Sequence, residues 1–451
     1  MREYVLTLLV TAAVTYLLTP LVRRGAIRVG AIHAARDRDV HVVPIPRMGG
    51  IAMYGGLAAG LWVAGRMVPL GSVFAGTRMA SGLMLAGGLI VVVGCVDDRW
   101  GMNPLSKLAG QVAAGAIIVW SGAELTWIPE PGRGTLYLTS NQSIALTILV
   151  VVATINAVNF IDGLDGLAAG ITCIAAVSFF LYYYTLTKVV HLSAEAGPAL
   201  VAAVLAGACL GFLPHNFYPA RIFMGDTGAM LLGLLLAYVP ISSIASLDPS
   251  SLTNYGFGTV NRFPEILPLL LPAAIMVIPY GDLVLAVVRR TRAGQSLLAP
   301  DRGHLHHRLL DIGHSQRSSV LIMYLWAALF SSTVVWLSVA RTPLIVFAVT
   351  TLAAVLLLLV MSMPRLRWWD RRRLSRSGAD GGGGVSSARA AVTHSAVPPA
   401  VTAAAVALSA APVSAPAGPA QARPAEGARA SAAPWAPAPA PTPPGIPAAP
   451  R

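Results

Sequence analysis

Long apolar stretches recur along this sequence, near residues 3–22, 48–65, 79–96, 105–121, 143–158, 166–184, 198–213, 227–246, 265–288, 318–339 and 343–363. A helix needs about 20 predominantly apolar residues to cross a bilayer. The pattern therefore predicts an all-α polytopic integral membrane protein with about 11 transmembrane helices. Composition agrees, since 55% of the residues are hydrophobic and only 11% charged, against about 25% charged in soluble domains. The first stretch, Tyr4 to Val22, has no small-residue cleavage site before its basic flank and reads as a retained helix rather than a signal peptide.

The distribution of charge orients the helices. If Arg23 and Arg24 face the cytoplasm, segments 23–47, 97–104, 159–165, 214–226, 289–317 and the stretch after 364 are also inside, and they hold most of the basic residues. The positive-inside rule then puts the N-terminus outside and the C-terminus inside, and the expected location is the plasma (cytoplasmic) membrane. The net charge of +13 comes almost wholly from arginine, and its placement beside membrane spans calls for no nucleic-acid partner. Among the outer segments, 122–142 alternates around a Pro-Gly turn and predicts a small hairpin. Cys95, Cys173 and Cys209 lie within apolar runs at no paired spacing, as small core hydrophobes do. Residues 1–373 form the expected transmembrane domain. Residues 374–451, rich in Ala, Pro and Gly, carry too few large apolar side chains to offset ordering entropy and form an expected disordered tail.

Polar groups beside hydrocarbon are costly, and they mark function when they cluster. Asp97 and Asp98 close one apolar segment; Asn156, Asn159, Asp162 and Asp165 recur every three residues before Gly163 and Gly166 end a helix; Asp226 sits in Phe-Met-Gly-Asp-Thr-Gly at the start of another. Each has a bland reading: a solvated helix end paired with Arg99, a polar turn, and an N-cap at Asp226. All three clusters nevertheless sort to the inner side. Oxygen-rich groups of this kind suit Mg2+, which takes one or two carboxylates and leaves its remaining positions to water and substrate phosphates. In the longest inner loop, Arg302, His304, His306, His307 and Arg308 combine three histidines with arginines, a set suited to phosphate or nucleotide recognition. Lys107, just inside an apolar segment, can reach a phosphate, and Arg47 precedes a turn into the second helix.

Together, Val-Asp-Asp, Asn-Ala-Val-Asn-Phe-Ile-Asp-Gly-Leu-Asp-Gly-Leu, Pro-Ala-Arg-Ile-Phe-Met-Gly-Asp-Thr-Gly and His-Leu-His-His-Arg-Leu resemble the motifs of the polyprenyl-phosphate N-acetylhexosamine-1-phosphate transferases, in order and across roughly residues 1–365. The His-x-His-His-Arg pattern is similar to the branch that transfers N-acetylglucosamine-1-phosphate. The resemblance implies transfer from UDP-N-acetylglucosamine to a polyprenyl phosphate, undecaprenyl or decaprenyl, with release of UMP, dependence on Mg2+ (Mn2+ substituting) and a cytoplasm-facing active site in cell-wall glycan assembly. It also implies site residues. Asp226 takes the place of the metal-ligand aspartate, with Asn159 or Asp162 beside it. Asp97 takes that of the base toward the lipid phosphate, or of a nucleophile, with Asp98 adjacent and Asp162 and Asp165 among the catalytic aspartates. His304, His306, His307 and Arg308 would hold the nucleotide, while Lys107, Arg47 and Arg302 would contact phosphates. Ala229 departs from the family, where a serine often follows the glycine, so no hydroxyl acts there. A homodimer is compatible with this reading, as is another UDP-N-acetylhexosamine donor. An ion-coupled transporter, the alternative from a different class, would place charges at helix midpoints and repeat its helix groups; only Asp282 lies deep within a span.

Overall fold

In this computed structural model the described residues are 1–33, 44–74, 77–130, 134–188, 193–247 and 313–339, with isolated positions between 280 and 356. These lie in the first of two compact units, Met1–Trp368 and Trp369–Arg451. The elements are mainly helical: α1 (Arg2–Val29), α2 (Gly50–Arg66), α3 (Val68–Phe74), α4 (Met79–Trp100), α5 (Pro104–Trp120), α6 (Ser140–Ile161), α7 (Leu167–Lys188), α8 (Ala196–Asn216), α9 (Gly225–Ser246) and α10 (Gln316–Val339). Six spans, formed by α1, α4, α6, α7, α9 and the stretch Ser193–Asn216 that contains α8, are long and apolar enough to cross a membrane, and α5 is a shorter apolar helix. The chain is thus a mostly helical, multi-pass membrane protein.

Helix covers nine of the predicted spans, whereas 265–288 and 343–363 lie largely outside the described residues. Two local expectations change. The first helix continues past Val22 through its arginines, because Arg, Ala and Ile sustain a helix until Gly30 closes it in a left-handed C-cap with φ 72°. A short helix, α3, also follows α2 where no element was expected.

α9 is the axis of the bundle. Its apolar window is almost wholly enclosed, and α4 and α6 pack along it, while α1 is mostly exposed and packs on α2 and α8. A helix that is apolar all round belongs in the middle; one with a single polar stripe lies outside. The stripe on α1 is Thr7, Thr11, Thr15 and Thr19, all buried, and three of these hydroxyls return to carbonyls one turn back: Thr7 to Glu3, Thr11 to Thr7 and Thr19 to Thr15. The expected hairpin is present as β3 (Trp127–Glu130) paired antiparallel with β4 (Gly134–Tyr137), Trp127 opposite Tyr137. The buried Trp127 indole donates to the carbonyls of Ile244 and Leu247 at 3.1 and 3.2 Å, satisfying the end of α9. At the opposite end, β1 (Ile32–His33) pairs with β2 (Ile45–Pro46).

Candidate active site

The acidic motifs meet where α4 and α6 end and α5 and α9 begin. α4 stops at Gly101, whose φ of 73° turns the chain back, and Asn103 then caps α5 by accepting the Leu105 N–H at 3.0 Å, with Pro104 at the first helical position. This tight connection places Lys107, one turn into α5, beside the last turn of α4. Its ammonium donates to Asp97 Oδ2 at 2.9 Å and to Asp226 Oδ1 at 2.5 Å. Asn159, in the last turn of α6, donates its amide to the same Asp226 oxygen. Asp97 Oδ1 accepts the Met102 N–H at 2.7 Å, so this carboxylate is fastened to its own helix end.

Asp98 faces the other way. Its Oδ1 accepts the Asp226 N–H at 3.0 Å, and its Oδ2 accepts both the Thr227 N–H at 3.1 Å and the Thr227 hydroxyl at 2.6 Å. The free N–H groups at the start of α9 do hold an anion, and that anion is the chain's own Asp98. The N-cap reading of Asp226 therefore gives way: the N-cap is Met224, and Asp226 lies in the first turn with its side chain turned to Lys107 and Asn159. Such proximity of α4 to α9 requires Gly94, where a Cβ would strike the Thr227 backbone, and Gly225, whose φ is 69° and where a Cβ would strike the Asp98 carboxylate. The entry to α2 packs equally close, since Gly49 and Gly50 donate their N–H groups to the carbonyls of Phe223 and Met224 at 3.1 and 3.2 Å.

Two aspartates thus flank one lysine, and these side chains remain partly accessible, 12% exposed for Asp97, 22% for Asp226 and 20% for Lys107. Asp162 lies just beyond the end of α6. Burial first, then the charge of Asp226, pushes its carboxyl up to about 8, with Arg47 acting in the opposite direction. Asp165 is buried in the turn that follows, where its Oδ2 accepts the Ala220 N–H at 2.9 Å, which ties it to the loop before α9. Asn156 sits one turn deeper, donating to Gln111 Oε1 at 2.7 Å, and so belongs to a polar tie beneath the site. Arg302, His304, His306, His307, Arg308 and Asp282 lie outside the described residues.

Sequence reasoning passed over Thr227 as an ordinary first-turn residue, and over Gln111, Asn216 and Tyr324 altogether. A polar residue closing an apolar run, as Asn216 does in Leu-Pro-His-Asn, was the available signal for one of them.

The donor set is chemically uniform. Asp97, Asp162 and Asp226 offer hard oxygen donors, and among the described residues no three or more His, Cys, Asp or Glu side chains are grouped so that they could hold a metal ion by themselves. Oxygen donors of this kind are the type that Mg2+ takes, one or two carboxylates with water and phosphate completing its shell, whereas Zn2+ draws on His and Cys as well.

A profile described as Glycosyl transferase family 4 matches residues 80–244, a range that contains Asp97, Asp98, Asp162, Asp165 and Asp226. The chain is 44% identical over 340 residues to decaprenyl-phosphate N-acetylglucosaminephosphotransferase of Mycolicibacterium smegmatis, covering 73% of this chain and 81% of that one. It is 31% identical over 345 residues to a probable undecaprenyl-phosphate N-acetylglucosaminyl 1-phosphate transferase of Bacillus subtilis, covering 75% and 88% of the two chains. It is 27% identical over 327 residues to the undecaprenyl-phosphate alpha-N-acetylglucosaminyl 1-phosphate transferase of Escherichia coli K12, covering 69% and 77%. With its acidic motifs joined at one end of a membrane bundle and relatives at this level over most of their length, the chain belongs to glycosyl transferase family 4, the polyprenyl-phosphate N-acetylglucosamine-1-phosphate transferases.

Proposed function

We propose that this protein transfers N-acetylglucosamine-1-phosphate from UDP-N-acetylglucosamine to decaprenyl or undecaprenyl phosphate and releases UMP, at the cytoplasmic face of the plasma membrane. The observation that carries the proposal is the convergence of Asp97 and Asp226 on Lys107, with Asp98 fastening the start of α9 beside them, at one end of the bundle. The product is the lipid-linked sugar on which a cell-wall glycan can begin.

In the reaction a phosphate oxygen of the lipid attacks the β-phosphorus of the sugar nucleotide. The new P–O bond forms as the bond from that phosphorus to the bridging oxygen breaks, and the electron pair leaves with UMP. Such transfers need positioning and charge neutralisation more than covalent help. Bound Mg2+, held by Asp226 with Asp97 or Asp162, would supply charge neutralisation on the diphosphate. Asp97 accepts the proton of a singly protonated lipid phosphate. Lys107 bridges two carboxylates and offers its ammonium to the phosphates. Asp98 holds the start of α9, and through it Asp226, in place. Arg47 lies on the same side as Asp162, and Arg302, His304, His306, His307 and Arg308 supply the nucleotide end. Carboxylates gathered at helix ends favour this chemistry over an ion path through the bundle.

The test is transfer of label from UDP-N-acetylglucosamine, labelled in the sugar, to polyprenyl phosphate by purified protein, with Mg2+ or with EDTA. Labelled lipid that forms with Mg2+ and is consumed when UMP is added supports the proposal. Product with a different UDP-sugar only would change the donor, and no product with any donor would overturn the assignment.

A further inference from the structure

Two loops distant in sequence bring the acidic residues together: the turn 162–166 after α6 and the segment 217–224 before α9. Asn216, the last residue of α8 and only 2% exposed, joins them. Its Oδ1 accepts the Gly166 N–H at 3.1 Å, and its Nδ2 donates to the Ile222 carbonyl at 3.0 Å. From α10, the Tyr324 hydroxyl donates to the Gly166 carbonyl at 2.5 Å. Both backbone polar groups of Gly166 are thus held by side chains from other helices, at a residue whose φ of 77° already fixes the turn. α10 reaches the second loop as well, where Arg317 donates to the Tyr218 carbonyl at 3.4 Å and lies 5.1 Å from the centre of its ring.

We propose that Asn216 and Tyr324 are positioning residues for the phosphosugar transfer, clamping Gly166 so that the turn bearing Asp162 and the segment leading into Asp226 keep one separation. They act through backbone and not on substrate, since the hydrogen bonds described for them end on main-chain atoms. A misplacement of about 1 Å in a catalytic constellation can lower turnover about 100-fold, and a buried amide whose two ends pin two loops is placed to prevent one. The kinetic part of this inference rests on the transferase function proposed above, and its structural part does not.

The experiment uses full-length protein in lipid nanodiscs, comparing wild type with Asn216→Ala and Tyr324→Phe by amide hydrogen exchange and by steady-state kinetics. Asn216→Ala should speed exchange about tenfold, the equivalent of one net hydrogen bond, in peptides spanning both 162–170 and 217–226, with α1 and α2 unchanged. Tyr324→Phe removes one oxygen and should speed exchange in 162–170; it keeps the test valid if Asn216→Ala does not fold. Both should lower kcat about 10- to 100-fold while leaving KM for UDP-N-acetylglucosamine within about twofold of wild type. Faster exchange confined to 217–226 in Asn216→Ala, or a raised KM at wild-type kcat, would overturn the clamp, the second result placing Asn216 on the nucleotide. If wild type transfers no phosphosugar, the transferase function fails and the exchange results alone decide the clamp.

Discussion

Asp97 and Asp98 are neighbours in sequence with opposite duties, and conversion of each to asparagine should separate them. In Asp98→Asn an NH2 group replaces one of two oxygens that together accept three hydrogen bonds. If the amide oxygen serves Thr227, the Asp226 N–H meets a donor; if it is reversed, both Thr227 donors do. One orphaned buried donor costs about 1–3 kcal/mol, and loss of the anion at the start of α9 adds about 0.3–1 kcal/mol. We therefore expect Asp98→Asn to lose about 1–4 kcal/mol of stability. Asp97→Asn keeps an oxygen for the Met102 N–H and leaves Lys107 its contact with Asp226, disturbing one side-chain contact instead of three helix-end hydrogen bonds, so the loss should be smaller than in Asp98→Asn. Thermal unfolding of the purified proteins, followed by intrinsic fluorescence, should place Asp98→Asn several degrees below wild type and Asp97→Asn closer to it. The transfer assay should show both impaired, Asp97→Asn by about 100- to 10,000-fold if it acts as the base. Equal midpoints for the two variants would refute the division of labour, as would a stable Asp98→Asn beside a destabilised Asp97→Asn.

Three further outcomes can be checked with the same material. Asp226→Asn should abolish turnover and flatten its dependence on Mg2+ concentration while the protein still folds; wild-type rates would refute the metal role. The Asp162 carboxyl is pushed up to about 8 by the fold from about 3.9 when unfolded, so the wild type should lose stability as pH rises between these values. In EDTA, Asp162→Asn should therefore melt above wild type by a margin that grows from pH 5 to pH 8, and a constant margin would show that Asp162 is not held neutral. Deletion of the residues after Ser377 should leave transfer rates nearly unchanged, and a large loss would give the tail a part in catalysis.

Much of the site was legible because membranes make polar residues conspicuous. Asp97, Asp98, Asn159, Asp162 and Asp226 stand out at the ends of apolar runs, and each belongs to the group of elements that meets around Lys107. Their partnerships were not legible. Nothing in the local pattern indicates that Lys107 bridges two aspartates from different helices, or that Thr227 binds Asp98 across a separation of 129 residues. Asn156 misled for a related reason: a three-residue spacing keeps neighbours on one side of a helix, but each step also moves along the axis, and Asn156 falls below the site against Gln111.

The sequence by itself determined that the chain crosses the membrane many times, that its acidic motifs lie at helix ends, and that the hairpin at 122–142 turns where it does. These follow from hydrophobic length and turn chemistry, which act over a few residues. Only the tertiary structure decided which carboxylate does what. Asp98 became the anchor of α9 and Asp97 the open carboxylate because Gly94 and Gly225 let α4 and α9 approach until one aspartate meets free backbone N–H groups, while its neighbour, one residue around the helix, faces Lys107.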